Sequence, residues 1–513
     1  MEILKFKDYK NKVKGCWWGK YSGGIMGMPF ECARGVKDLD WYTQTDLSGI
    51  ANDDIDLQMV WLRACEKHGN KINSQILAET WLTYITPTIS EYGACKANLR
   101  MHMPPPLCGS YANPHKHSNG SFIRSEIWAC LCPGTPEMAV RYAMEDAMVD
   151  HGEEGIYGEV FFAAAQSAAF VEDDMQKIIQ IGLKFIPEDS GVAKGVRCAV
   201  ECYNSGVTWK EARKKILQTV PSSFGLMSGY IWETLPEKDV PGGENGYDAP
   251  ANVAISVMSL LYGEKDFLKT ICIAAGCMED SDCTAGNAGS TLGILLGYDN
   301  IPADVLAPLE DKIAICCIKI DGDAQVPPTV NSLIDRVLRL TPLFLGREIV
   351  DIFDEGGYSI KVKLDGHDLL RPYIVDQYHA PFFEALLERI PTGARYTNIL
   401  LDTTVFYENG SEITEGETKK IKLRFWNMVQ DQQWLSFEWL LPSGVQMEGC
   451  KKKTLFLPQK HGGEIYASNF NSAEIEFDLT LLETTEASIN LTLKIESVGR
   501  YTMTYIPINF VKK

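Results

Sequence analysis

The chain has no apolar run approaching the roughly 20 residues that a membrane-spanning helix requires. Its first residues, Met1 to Asn11, are charged and lack the apolar stretch of a secretory signal. Both absences lead to the expectation of a cytoplasmic protein, and the sequons at Asn409 and Asn490 then carry little meaning. Clustered Lys and Arg are also scarce. The formal net charge of −19 argues against a nucleic-acid or anionic-membrane partner, because phosphate contacts need basic patches. Paired C-x-x-C spacing is missing. The 15 cysteines are scattered through apolar, helix-like segments, as at Cys272, Cys277, Cys316 and Cys317, and read as mostly buried free thiols. Cys108, His115 and His117 share a Pro- and Gly-rich loop but lack a fourth zinc ligand at useful spacing. No internal repeat or low-complexity segment stands out.

What is present divides into two patterns. A length of 513 residues is too great for one ordinary core and implies at least two domains. From about Tyr9 to Gly346 the chain is a string of helical patterns rich in small residues, such as Gly158 to Phe170 and Ala251 to Tyr262, whose Ala and Gly allow close helix packing. From about Arg395 the period changes to two. Ile475, Phe477, Leu479 and Leu481 alternate with polar residues, as do Ile489 to Ile495 and Leu435 to Leu441, the last ending in a Pro442-Ser443-Gly444 turn. Several short strands of this kind predict a small β-sandwich. The expected organisation is an all-α domain over 1–346, a mixed connector over 347–392 and an all-β sandwich over 393–513. The connector contains a strand-like Tyr358 to Leu364 and a helix-like Pro381 to Arg389.

Two acidic clusters more than two hundred residues apart carry the chemistry: Asn52-Asp53-Asp54-Ile55-Asp56 and Glu279-Asp280-Ser281-Asp282-Cys283-Thr284. Each opens a helical pattern. Ile55, Met59 and Leu62 follow the first, with His68-Gly69 as a stop; Ala285, Ala288, Leu292 and Leu295 follow the second, with Gly297 near the end. Two readings stand. Asn and Asp are ordinary N-caps, but four or more carboxylates brought to one point repel one another severely unless cations sit between them. Taken together, the clusters favour a metal site.

Further segments lie in order along roughly residues 10 to 310. They are Gly15-Cys16-Trp17-Trp18-Gly19, Gly27-Met28-Pro29-Phe30-Glu31, Asn119-Gly120-Ser121-Phe122-Ile123-Arg124 and Asp146-Ala147 to His151-Gly152. With the two acidic clusters they resemble the ADP-ribosylglycohydrolase family, also called the ADP-ribosylhydrolase or dinitrogenase-reductase-activating glycohydrolase family. The resemblance implies an all-α fold with a binuclear Mg²⁺ or Mn²⁺ centre held by Asn52, Asp53, Asp54, Asp280 and Asp282, with Cys283 where the family has Thr or Ser. A thiol is a poor partner for Mg²⁺, so the expectation is either that one of the two metals is held more weakly or that Thr284 or a water takes the place. Hard oxygen donors independently select Mg²⁺, Mn²⁺ or Ca²⁺ over softer ions.

The resemblance also implies catalytic roles for Glu31, Asp53 and Asp54, and substrate contacts from Asn119, Gly120, Ser121, Phe122 and His151. A plain turn at 119–121 and a helix-terminal His151 are the structural alternatives. Tyr111 and Phe122 are expected to wall the substrate cleft, and the Trp17-Trp18 pair to lie in the core. The expected reaction is metal-dependent hydrolysis of an anomeric N- or O-glycosidic bond, with ADP-ribosyl linkages first among substrates. Glu153 and Glu154, which would repel a diphosphate, keep open another sugar or nucleoside as substrate, and Asn52 and Cys283 keep open a non-catalytic ADP-ribose or sugar binder. The expected partner is a small glycoside or an ADP-ribosylated molecule, with the oligomeric state open.

Overall fold

The computed structural model describes residues 2–31, 33–47, 49–220, 247–320, 326–354, 357–364, 394–407, 409–429, 431–448, 452–458, 472–484, 486–500 and 502–513. The helix-like stretch Pro381 to Arg389 lies outside them. The chain divides into two compact units, Met1–His367 and Asp368–Lys513. Among the described residues, no helix is long and apolar enough to cross a membrane.

The first unit is helical, and its centre is the opening helix Phe6–Gly27 lying against Ser281–Leu296. The local reason is a glycine at every fourth position of the first helix. A Cβ on Gly15, Gly19, Gly23 or Gly27 would come within 2.1 or 2.2 Å of a backbone oxygen of the facing helix, at Gly293, Gly289, Ala285 and Ser281 respectively. With no side chain between them the two backbones touch along four turns, and ordinary side chains would force them apart. Trp17 and Trp18 are both buried nearby.

The helix after the first acidic cluster runs Asp53–His68, capped by the Asn52 side chain and closed at Gly69 with φ +60°. The second runs Ser281–Leu296 and ends at Gly297 with φ +73°. The first unit also contains a small sheet. Gly357–Val362 pairs antiparallel with both Val350–Asp354 and Glu2–Lys5, and Tyr358 donates to the Leu338 carbonyl at 2.7 Å. Glu2–Lys5 is too short and too charged to have read as a strand.

The second unit contains two five-stranded sheets. One has the order Lys452–Leu457, Gln433–Leu440, Ser488–Ser497, Met503–Lys512, Glu412–Ile413; the other has Val445–Met447, Ser472–Leu481, Thr418–Asn427, Leu401–Tyr407, Ala394–Thr397. All neighbours are antiparallel except the pairing of Glu412–Ile413 with Met503–Lys512. Leu435, Phe437, Leu491, Leu493 and Ile508 from the first sheet join Ile421, Leu423, Phe425, Phe477 and Leu479 from the second in one buried core. The two-residue alternation thus resolves into inward-facing rows of a sandwich, about 25 cal/mol being gained per Å² of apolar surface buried.

Candidate active site

Helix caps bring the two acidic clusters together. Asn52 Oδ1 accepts the Asp54 N–H at 2.7 Å, which fixes the start of Asp53–His68, while its Nδ2 donates to Asp282 Oδ2 at 3.0 Å. The cap and metal readings therefore meet in one residue, whose oxygen is already in use as a cap. Glu31 arrives by another route. It ends the short 3-10 turn Met28–Phe30, and the following Ala33–Arg34 pairs with Met278–Glu279 just before Asp280. Met278 and Glu279 both adopt positive φ, +59° and +63°, a conformation that costs non-glycine residues energy. Ion pairs hold it in place: Glu279 Oε1 lies 2.9 Å from Arg34 Nε and 3.2 Å from Arg213 Nη2. Glu279 is thereby occupied, and the segment presents Asp280 and Asp282.

One carboxylate oxygen from each of Glu31, Asp280 and Asp282 lies within 4.8 Å of the others. Asp280 Oδ2 accepts from Asn119 Nδ2 at 2.9 Å and Asp282 Oδ2 from Asn52, but Asp280 Oδ1 and Asp282 Oδ1 are buried with no hydrogen-bond donor. The electrostatics agree. Asp282 beside it, then burial, push Glu31 up to about 9. Burial, with Asp282 and Glu31 nearby, pushes Asp280 well above the carboxylate range. Burial and the neighbouring Asp54 push Asp53 up to about 6, although Tyr92 donates to its Oδ2 at 2.9 Å. Orphaned hard oxygens carrying repelling charge fit a divalent cation such as Mg²⁺ or Mn²⁺.

Asp54 is different, because both of its oxygens have partners. Lys20 Nζ lies 2.8 Å from Oδ2, and Cys283 Sγ donates to Oδ1 at 3.2 Å. Burial and the surrounding carboxylates push the Cys283 thiol up, so it is a donor rather than a thiolate ligand. Lys20 also donates to Asn287 Oδ1 at 2.6 Å and lies 3.4 Å from Glu126 Oε1. Burial opposes its charge, but Asp54 and Glu126 outweigh this and raise its pKa. Sequence reasoning missed Lys20. The available signal was position: the helix carries its other lysines in its first half, and Lys20 is the one charged residue of the Gly-rich second half from Gly15 to Gly27.

The remaining expected residues lie around this cluster. Ser121 is buried and donates to the Gly155 carbonyl at 2.6 Å, Phe122 is buried against Phe162, and a Cβ on Gly120 would meet Glu91 Oε1 at 2.4 Å. Phe122 thus lines no open cleft, whereas Tyr111 is exposed. His151 is fully buried, its Nε2 2.9 Å from Ser118 Oγ and its Nδ1 3.0 Å from Asp150 Oδ1. The loop is pinned by Arg124, which bonds Asp146, Asp150 and the Gly120 carbonyl at 2.8 to 3.0 Å. Cys108 donates instead to the Val149 carbonyl and His117 pairs with Glu153; among the described residues these do not form a zinc site with His115. Asp56, from the first cluster, accepts the N–H groups of Cys316 and Cys317 at 2.7 and 2.8 Å, fastening that loop.

In this helical unit the first helix and two distant acidic helix starts thus converge on one carboxylate cluster. Residues 6–341 match the ADP-ribosylglycohydrolase family, and the chain belongs to it. Among solved structures, it is similar to an ADP-ribosylglycohydrolase-related protein complex, with 14% identity over 66% of this chain and 100% of that one and a TM-score of 0.42. A FixG-related protein from Vibrio parahaemolyticus matches 23% of this chain and 99% of its own length, with 12% identity and a TM-score of 0.18. No curated protein matches the sequence significantly.

Proposed function

We propose that this hydrolase is a metal-dependent glycohydrolase that cleaves an anomeric N- or O-glycosidic bond, with ADP-ribosyl linkages as its leading substrate class. The observation that carries the reading is the pair of buried, donor-less oxygens, Asp280 Oδ1 and Asp282 Oδ1, beside Glu31. A divalent cation bound there supplies Lewis acidity toward a sugar hydroxyl and an attacking water. Asp280 and Asp282 hold it, and Asn119 and Asn52 orient them through their second oxygens. Glu31 and Asp53 are half-buried, more exposed than Asp54, Asp280 and Asp282. Glu31 takes or returns the proton at the leaving group, and Asp53, kept in one rotamer by Tyr92, assists the water.

The partners of Glu153 and Glu154 support keeping a diphosphate among the substrates. Glu153 pairs with Lys116 and His117, and Glu154 accepts the Gly191 and Val192 N–H groups at 2.8 and 2.9 Å. Glu153 is thus countered by the Lys116 cation, and Glu154 is turned onto the helix start at Gly191. A second reading, a glycoside without ADP-ribose, is favoured by Trp434 and Phe456, cross-strand neighbours on the sandwich that are 53% and 40% exposed with ring centroids 5.2 Å apart. Such a face stacks on sugar rings.

The test is release of free ADP-ribose from arginine- and serine-linked substrates, followed by chromatography with Mg²⁺ or Mn²⁺ and with excess chelator. Release that the chelator and Asp282→Asn both abolish is expected. No release by folded, metal-loaded protein would reject the ADP-ribosyl reading in favour of other glycosides, and release that survives the chelator would reject the metal.

A further inference from the structure

Lys20 is less than 2% exposed, on a helix whose neighbouring turns are packed backbone to backbone against Ser281–Leu296. Its stem lies along Gly286 of that facing helix, where a Cβ would come within 3.1 Å of Lys20 Cδ. Its ammonium is held on three sides, 2.6 Å from Asn287 Oδ1, 2.8 Å from Asp54 Oδ2 and 3.4 Å from Glu126 Oε1. Glu126 is held in turn by Ser290 and Gln58 at 2.8 and 3.0 Å. A chain of buried partners this complete leaves the ammonium no route to solvent.

We propose that Lys20 is a built-in cation which fills the Asp54 side of the acidic cluster, so that the protein takes one divalent ion, at Asp280 and Asp282 beside Glu31, rather than a pair. The inference rests on the metal-dependent reading above. Three features of the chain's own donors support it. Each Asp54 oxygen already faces a partner, Oδ2 the Lys20 charge at 2.8 Å and Oδ1 the Cys283 thiol at 3.2 Å. Asn52 spends its oxygen on the Asp54 N–H. Asp54 Oδ2, Asp280 Oδ1 and Asp282 Oδ1 all lack a hydrogen bond, but only the first has a cation beside it, Lys20 at 2.8 Å, and among the described residues no ion pair reaches the other two. A divalent ion touching Asp54 would sit within a few ångströms of a buried ammonium, and in a partly desolvated site that repulsion is far larger than in water. An ammonium with one carboxylate on each side is also the arrangement in which two neighbouring acids both stay ionised without a metal.

The test counts Mn²⁺ bound per chain after equilibrium dialysis, with electron paramagnetic resonance on the same samples. The wild-type protein is expected to hold about one equivalent with the spectrum of an isolated ion. Lys20→Met is expected to hold about two, with the broadening of a coupled pair. Should Lys20→Met fail to fold, the double variant Lys20→Met/Glu126→Gln, which removes both buried charges, replaces it. Two equivalents in the wild type would overturn the role of Lys20 while leaving the metal reading intact, as would one equivalent in both proteins. No Mn²⁺ bound by folded wild type would overturn both.

Discussion

Replacing Gly19 by Ala puts a methyl group 2.2 Å from the Gly289 carbonyl oxygen. To restore even a tight contact of 3.0 Å the facing backbone must retreat by 0.8 Å, which is 3.0 less 2.2. The obstacle is main chain, so no side-chain rotamer relieves it. Overpacking of this kind costs about 1–3 kcal/mol, and the better helix propensity of Ala returns up to about 1 kcal/mol. Because main chain must move, the upper half of that range applies, and about 2–3 kcal/mol less about 1 leaves a net loss of about 1–2 kcal/mol, read as a lower urea midpoint with an unchanged slope when helical far-UV circular dichroism is followed. Position along the stripe then separates stability from function. Gly15→Ala, at the Gly293 end, should destabilise without weakening Mn²⁺ binding. Gly27→Ala, whose Cβ would lie 2.5 Å from the Asp282 Cα, should weaken Mn²⁺ binding by about tenfold or more, as displaced ligand supports do. A Gly19→Ala protein as stable as the wild type or more so would refute the reasoning, since that is what helix propensity alone gives.

Lys20→Met leaves Asp54 and Glu126 buried without their cation and should cost about 3–5 kcal/mol near neutral pH. The loss should shrink by about 1.4 kcal/mol for each pH unit lowered toward the ordinary carboxylate pKa, because one acid can then take up a proton; thermal melts across pH with chelator present check both. In the metal-free protein the pKa of Glu31 is pushed up to about 9 and that of Asp53 to about 6. Both lie above the unfolded values, so their contribution to stability is complete at about pH 4 and is lost as pH rises through 6 and then 9. Adding Mn²⁺ should therefore raise the melting temperature more at pH 8 than at pH 5.5. Asn119→Ala frees Asp280 Oδ2 and should weaken Mn²⁺ binding by about 10–100-fold with the fold intact, measured by calorimetry.

Both acidic helix starts were legible because caps, apolar spacing and stop residues agree locally at Asn52 to Gly69 and Asp280 to Gly297. The sandwich was legible for the same reason, since a period of two survives without knowledge of strand partners. What sequence could not carry was partnership at a distance. A lysine in a helix ordinarily reaches solvent, so nothing near Lys20 announced that Asp54, Glu126 and Asn287 surround it. The turn at Asn119 to Ser121 reads equally well as a ligand cradle or a buried corner. Its anchoring by Arg124, which bonds Asp146, Asp150 and the Gly120 carbonyl, came only with the structure. Cys283 stood out as a departure from the family pattern, and its meaning came only with Asp54 at 3.2 Å.

Calorimetric titration of ADP-ribose into the protein, with saturating Mn²⁺ and again with chelator, tests most directly whether a cation between Asp280 and Asp282 organises the site. The account predicts binding with Mn²⁺ that disappears in chelator and in Asp282→Asn. Equal binding with and without the metal, or no binding by the metal-loaded protein, would contradict it.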